Sequence, residues 1–245
     1  MDLRAQDLPR DTVGLLEGLT STRAIRRYTD EPVPSEVLRA ILFAATRAPT
    51  DSNRQAFRFL VLAEGPEADA AKRVIAEGAR RIWDFKRQSE GYDAGSGAVD
   101  DSPKSRMART MERYVDDLAR VPVLVLPCLV LHREASVIDG ASIYPACQNL
   151  LLAARALGYG GVMTSWHVFV EDQLRPTLGI PDDVMIAATI TLGRPAGRHG
   201  AVRRRPLGQL VFDRSWGTPA TWAVDPPGTR HTGAAPGPTR SDAAR

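Results

Sequence analysis

The sequence predicts a layered domain of the α/β or α+β class, and three observations carry that expectation. Two continuous apolar runs, VPVLVLPCLVL (121–131) and MIAATITLG (185–193), suit strands buried on both faces. Long stretches of helical periodicity separate the apolar runs, and SIYPACQNLLLAARALG (142–158) is the clearest of them. With 43 % apolar and 25 % charged residues over 245 positions, the composition is that of an ordinary globular chain. Strands separated by long helices must bury their apolar faces as stacked layers.

Each element has its own signal. Residues 11–19 (DTVGLLEGL) set Leu15, Leu16 and Leu19 on one helical face, with Asp11 or Thr12 as N-cap. The basic segment 20–34 (TSTRAIRRYTDEPVP) breaks periodicity. Ser35 caps a helix with Val37, Leu38, Ile41, Leu42 and Ala45 on its apolar stripe, which stops near Ala48 because Pro49 follows. After the polar turn TDSNRQ, FRFLVL (57–62) is strand-like, and a helix covers 67–88. The stretch 92–105 (YDAGSGAVDDSPKS) has little apolar content and is expected to be a mobile loop or lid. A helix over 106–119 leads to the first buried strand. In 142–158, Ser142 is the expected cap, Pro145 sits in the first turn, and Gly158 ends the helix. GYGGVMTSWH follows as a turn into a short strand, and a helix near 171–178 ends at Gly179. The domain is expected over 1–216. From Gly217 the Pro, Gly, Thr, Ala and Arg bias marks a disordered tail over 217–245.

Several function classes are set aside. A net charge of +3, from 32 basic and 29 acidic residues, is too balanced for a nucleic-acid footprint. Cys128 and Cys147 lie in apolar runs and read as buried free thiols, and no histidine or cysteine spacing suits a metal. The N-terminus lacks a signal-peptide core, and no apolar run approaches the ~20 residues of a membrane span, so a cytoplasmic protein is expected. Gly158-Tyr159-Gly160-Gly161 follows a helix and precedes a strand, the reverse of a dinucleotide-binding turn. Thr164-Ser165-Trp166-His167 lacks a nucleophile-elbow frame, and His167 reads as a packing or pocket residue.

Three polar clusters remain. Arg23, Arg26 and Arg27 form a basic loop that is either solvated or a phosphate anchor. The run 49–55 (PTDSNRQ) is either an Asx-type turn or a set of amides for a heterocycle edge. Arg203, Arg204 and Arg205, taken alone, read as a surface charge run.

In this order the segments resemble the nitroreductase family. STRAIRRYTDEPVP…APTDSNRQAF is similar to its R-S-x-R-x-F, P-V-P, A-P-S/T and N-x-Q-P-W signatures, and ALGYGGVMTSWH…LGIPDDVMIAATITLGRPA to its later ones. RRRPLGQLVFDRSW is similar to its closing segment, so the likeness spans roughly 13–216. The resemblance implies an α+β fold with a central, mostly antiparallel sheet flanked by helices, an intertwined homodimer, and FMN shared between chains. It places Arg23, Ala24 and Arg26 against FMN, with Arg23 toward the phosphate and Arg26 near the pyrimidine edge. Pro49, Thr50, Asn53 and Gln55 match residues that approach the flavin, partly from the second subunit. Met163, Thr164 and Ser165 match the strand passing the ring, and Arg204 and Arg205 match a basic pair that closes on the phosphate. Ala24 replaces the usual serine and Ala56-Phe57 the usual Pro-Trp.

The implied activity is hydride transfer from NAD(P)H through FMN to a nitroaromatic, quinone or similar small electron-poor acceptor, with no side chain required as acid or base. Flavin-fragmenting and dehalogenating members are rival readings. So is an FMN-storage protein whose cavity is plugged by loop 92–105 or by Trp166. A nucleic-acid role is set aside because the arginine clusters lie far apart without interleaved aromatics.

Overall fold

A computed structural model describes residues 8–232. Five strands, β1 (Phe57–Leu62), β2 (Val123–Val130), β3 (Gly160–Thr164), β4 (Val184–Ile186) and β5 (Thr189–Gly193), form one sheet in the order β1-β2-β5-β3, with β4 also on β2. Every pairing is antiparallel, so the layered class resolves to α+β. The helices are α1 (Leu15–Ser21), α2 (Ser35–Ala45), α3 (Pro66–Ser89), α4 (Pro103–Asp116), α5 (Gly140–Ala156) and α6 (Glu171–Leu178).

The apolar run of β2 is buried on both faces, as its composition requires. Leu124, Leu126 and Cys128 point to a core with Ala71, Ile75 and Trp83 of α3 and Tyr114 of α4. Val123, Val125 and Leu129 point the other way, to Ile41 of α2 and Cys147 and Leu150 of α5. Each such Leu or Ile contributes about 1.5–3 kcal/mol by leaving water. Cys128 and Cys147 therefore sit on opposite faces of the sheet as free thiols, and burial pushes them up to about 11 and about 12.

Local differences from the expected elements have identifiable causes. The run 185–193 is not one strand but two, β4 and β5. Pro127 at the centre of β2 has no N–H to donate, and one extra residue bulges out between the Cys128–Ile186 and Val125–Ile190 pairs. Helix α1 starts at Leu15 rather than 11, because Thr12 gives both its N–H and its hydroxyl to the Ala156 carbonyl (2.6 and 2.8 Å). Helix α4 starts at Pro103 rather than 106, since the Ser102 hydroxyl accepts the Ser105 N–H at 3.0 Å. Helix α5 begins at Gly140 after a Ser136–Asp139 capping box, and Ser142, the expected cap, instead accepts the Asp51 N–H at 3.2 Å. Gly158 and Gly179 stop their helices with φ of 81° and 62°.

Loop 92–105 is tied down rather than free. Lys104 donates to the Glu90 carbonyl (2.7 Å) and lies over the Tyr92 ring, Arg87 pairs with Asp93, and Tyr92 packs on Trp83.

The chain divides into two compact units, Met1–Gly200 and Ala201–Arg245. Within the second, Arg204 bridges to His231, Phe212 to Pro219, and the Leu207 N–H bonds to Asp225 at 2.9 Å. The part of the expected tail at 233–245 lies outside the described residues.

Candidate functional site

The basic loop around Arg23–Arg27 is held against the sheet by its backbone. Ile25 donates to the Gly161 carbonyl of β3 (3.0 Å), Thr29 to Arg194 (2.9 Å), and Ala196 donates back to Arg27 (3.0 Å). Close approach of this loop is what the glycines after α5 permit. A Cβ on Gly160 would meet the Ile25 side chain at 2.6 Å, and one on Gly161 would meet the Thr191 carbonyl at 2.3 Å.

Beneath the loop runs a chain of buried hydroxyls. The Tyr28 hydroxyl donates its one proton to the Ile25 carbonyl (2.6 Å), so at 2.8 Å it accepts from Thr191 Oγ1. Thr191 in turn accepts from the Tyr114 hydroxyl at 2.6 Å. Proton counting thus gives one direction, Tyr114 to Thr191 to Tyr28 to the Ile25 carbonyl, with every group satisfied. Burial pushes both phenols well above their ordinary range, which keeps them protonated as donors.

With its main chain fixed, the loop presents its side chains to a cavity of about 360 Å³. Arg23, Ala24, Arg26 and Arg27 line one side, Arg106 and Met107 of α4 another, and Arg198 a third. Arg26 Nε is buried without an acceptor, and its side chain also borders a second cavity of about 290 Å³ beside Tyr114. A buried guanidinium N–H with no partner is costly unless a ligand supplies the acceptor. The loop donors Arg23 and Arg26 fit a phosphate and an electron-rich ring edge, which is the chemistry of FMN.

The second cluster sits elsewhere in the chain. Thr50 borders a cavity of about 280 Å³ with Arg54, His132, Arg133, Asp139 and Ser142 among its lining. The turn itself is strained, with Ser52, Asn53 and Gln55 at φ of 49°, 52° and 50°. Gln55 gives its N–H to the Thr50 hydroxyl (3.1 Å) and its amide to Asn53 (3.2 Å), while Pro49, Asn53 and Gln55 stay exposed. Within one chain, Thr50 and the basic loop line different cavities.

Met163 is exposed near the end of the edge strand β3, Thr164 donates to the Thr189 carbonyl (3.1 Å), and Ser165 is exposed just beyond. Trp166 is 5 % exposed and packs on Tyr114 at 4.9 Å, so it is a core residue and cannot be a plug. His167 is buried against Thr189 (3.2 Å), and desolvation lowers its pKa despite nearby Glu171, as a neutral packing residue requires. Arg204 and Arg205 belong to the second compact unit, where Arg204 caps the Arg203 carbonyl at 2.9 Å. Among the described residues no His, Cys, Asp or Glu group is arranged to hold a metal, and no helix is long and apolar enough to cross a membrane.

Arg106, Arg198, Tyr114 and Thr191 escape sequence reasoning. The arginines are isolated residues in unremarkable stretches, and the two hydroxyls read as ordinary members of a helix and a strand. Arg27 was visible in the basic run, but nothing in the run separates it from its neighbours.

The antiparallel α+β sheet with a basic loop clamped over β3 and β5 defines a nitroreductase-type fold. The Nitroreductase family model matches residues 19–194, and the chain belongs to that family. It is 28 % identical over 225 residues to an NADH dehydrogenase of Thermus thermophilus, covering 83 % of this chain and 98 % of the relative. It is 27 % identical over 206 residues to iodotyrosine deiodinase 1 of Rattus norvegicus, covering 80 % and 67 %. A solved nitroreductase homologue from Desulfovibrio desulfuricans, in complex with FMN, matches with a TM-score of 0.58 and 28 % identity over 82 % of this chain and 97 % of that one.

Proposed function

We propose that this chain is an FMN-dependent oxidoreductase, working as a homodimer, that takes hydride from NAD(P)H and reduces a small electron-poor acceptor. The observation that carries the reading is the arginine-lined cavity with the unpartnered Arg26 Nε. FMN binding by the Desulfovibrio homologue and the NADH dehydrogenase relative support it. Bound FMN would supply the two-electron chemistry, toward nitroaromatics, quinones or similar conjugated compounds.

The residues of the chain hold and tune that group. Arg23 takes the phosphate, and the Ala24 main chain adds a contact. Arg26 faces the pyrimidine edge, where a cation stabilises the negative charge that two-electron reduction brings. Met163, Thr164 and Ser165 flank the ring from β3. Pro49, Thr50, Asn53 and Gln55 serve the site of the second chain, which fits their separation from Arg26 within one chain.

Homodimer formation is supported by α1, whose Leu15, Leu16 and Leu19 are 73 %, 77 % and 48 % exposed in the single chain. We assign the flavin site to 1–216, with 217–245 as an appended tail, and the site of action to the cytoplasm, where thiols such as these stay reduced.

The test is direct. The purified protein is expected to be yellow and to bleach when NADH or NADPH is added without oxygen. Colourless protein that fails to take up added FMN would overturn the reading. Arg26→Ala is expected to weaken FMN retention about tenfold or more, read by flavin fluorescence during dialysis.

A further inference from the structure

Five arginines border the cavity, from three separate parts of the chain: Arg23, Arg26 and Arg27 from the loop, Arg106 from α4, and Arg198 from the turn after β5. Guanidinium groups stay charged at any physiological pH. Among the described residues none of the five forms an ion pair with a carboxylate, and no acidic residue lines the cavity. By contrast, Arg80, Arg87, Arg109, Arg133, Arg175 and Arg194 each meet an acid. Near the cavity, Asp101 gives its carboxylate to Arg109 at 2.7 Å and offers Arg106 only its backbone carbonyl.

One phosphomonoester brings about two negative charges. The FMN phosphate leaves about three of the five cations unmatched, and the reduced ring edge at Arg26 accounts for one more. Like charges around one small cavity repel, and they are retained at a cost unless a ligand neutralises them. The remaining surplus of about two charges falls among Arg27, Arg106 and Arg198. Of these, Arg106 and Arg198 lie outside the segments matched to the flavin, and Arg106 is flanked on α4 by the exposed Met107 and by Thr110. Cations beside an apolar thioether and a hydroxyl suit an organic anion better than a bare ion.

Building on the flavin reading above, we propose that Arg106 and Arg198 bind a second anionic group, a phosphate or carboxylate carried by the electron donor or by the acceptor. In the donor it is the 2′-phosphate that distinguishes NADPH from NADH. In the acceptor it is a carboxylate, as on a nitrobenzoate compared with nitrobenzene. Each charge-assisted contact is worth about tenfold in affinity.

The experiment uses the FMN-loaded full chain and the variants Arg106→Gln, Arg198→Gln and their double. FMN affinity is read first, by flavin fluorescence, and is expected to stay within about twofold of the unaltered protein. Binding of 2′,5′-ADP against 5′-ADP, and of 4-nitrobenzoate against nitrobenzene, is then measured by calorimetry, with kcat/KM ratios for NADPH over NADH and for the two acceptors alongside. The double variant is expected to lower one of these preferences by about tenfold or more, with Arg106→Lys retaining part of it. Loss confined to the 2′-phosphate pair identifies the donor as source, and loss confined to the nitrobenzoate pair identifies the acceptor. Unchanged preferences with FMN still bound overturn the second site and leave the flavin reading standing. Loss of FMN itself from the double variant also overturns the proposal, because the two arginines then belong to the flavin phosphate. Unaltered protein that binds no FMN defeats the underlying reading instead.

Discussion

Thr191 shows how much one small side chain decides at the scale of a residue. Its hydroxyl links Tyr114 to Tyr28 and so to the Ile25 carbonyl, one residue before Arg26. Thr191→Val keeps the shape but leaves the buried Tyr114 hydroxyl without its acceptor, a change expected to lower stability by about 1–3 kcal/mol. It is also expected to weaken FMN binding, because Tyr28, which holds the Ile25 carbonyl beside Arg26, loses the Thr191 contact that orients it. Thr191→Ser restores the hydroxyl and should recover the binding more fully than a packing argument alone allows, since serine lacks the methyl group. Thermal melts and FMN titration of both variants check this, and equal FMN affinities for the two would remove the positioning role. Gly160→Ala approaches the same loop from the other side. Its Cβ would press on Ile25 at 2.6 Å, with an expected cost of about 1–3 kcal/mol and a matching drop in flavin affinity.

Between elements, α3 and α4 are clamped by a cluster centred on Glu112. Glu112 of α4 accepts from Trp83 Nε1 and from Arg80, both at 2.6 Å, while Arg80 also pairs with Asp116. The Trp83 N–H and then Arg80 hold the Glu112 carboxyl below its ordinary range. A depressed folded-state pKa means that the unfolded chain binds the proton first. The stabilisation is therefore present above the ordinary glutamate value and is lost as pH falls through the folded value. Glu112→Gln is expected to lower the melting temperature near pH 7, with the gap to the unaltered protein closing as pH falls below the ordinary glutamate range. A gap independent of pH would show that charge at Glu112 contributes nothing. The same clamp sets the position of Arg106, about 1.7 turns earlier on α4, so the variant tests the cavity wall as well.

For the whole molecule, the question is what covers α1. Its leucine stripe is helical and amphipathic as the sequence indicates, yet in the single chain the stripe faces outward. The pair Leu15→Arg and Leu16→Arg is expected to shift the protein from dimer to monomer in light scattering after size exclusion. FMN is expected to leave with the dimer if the turn 49–55 serves the opposite chain. A dimer that persists in the double variant would place the interface elsewhere.

The amphipathic stripes of α2 and α5, the doubly buried β2 and the glycine stops at 158 and 179 were legible in the sequence, because each depends on neighbours within a turn or a pleat. The break between β4 and β5 was not, since it arises from Pro127 on the partner strand. The three arginines of the basic loop stood out as a cluster, but their local spacing served a solvated loop equally well. Tertiary structure alone decided that Gly160 and Gly161 seat that loop, that Tyr28, Thr191 and Tyr114 meet beneath it, and that Arg106 and Arg198 share its cavity. The physical reason is range. Periodicity and caps act over a few residues along the chain, whereas hydrogen bonds and charge act through space between segments that only folding brings together.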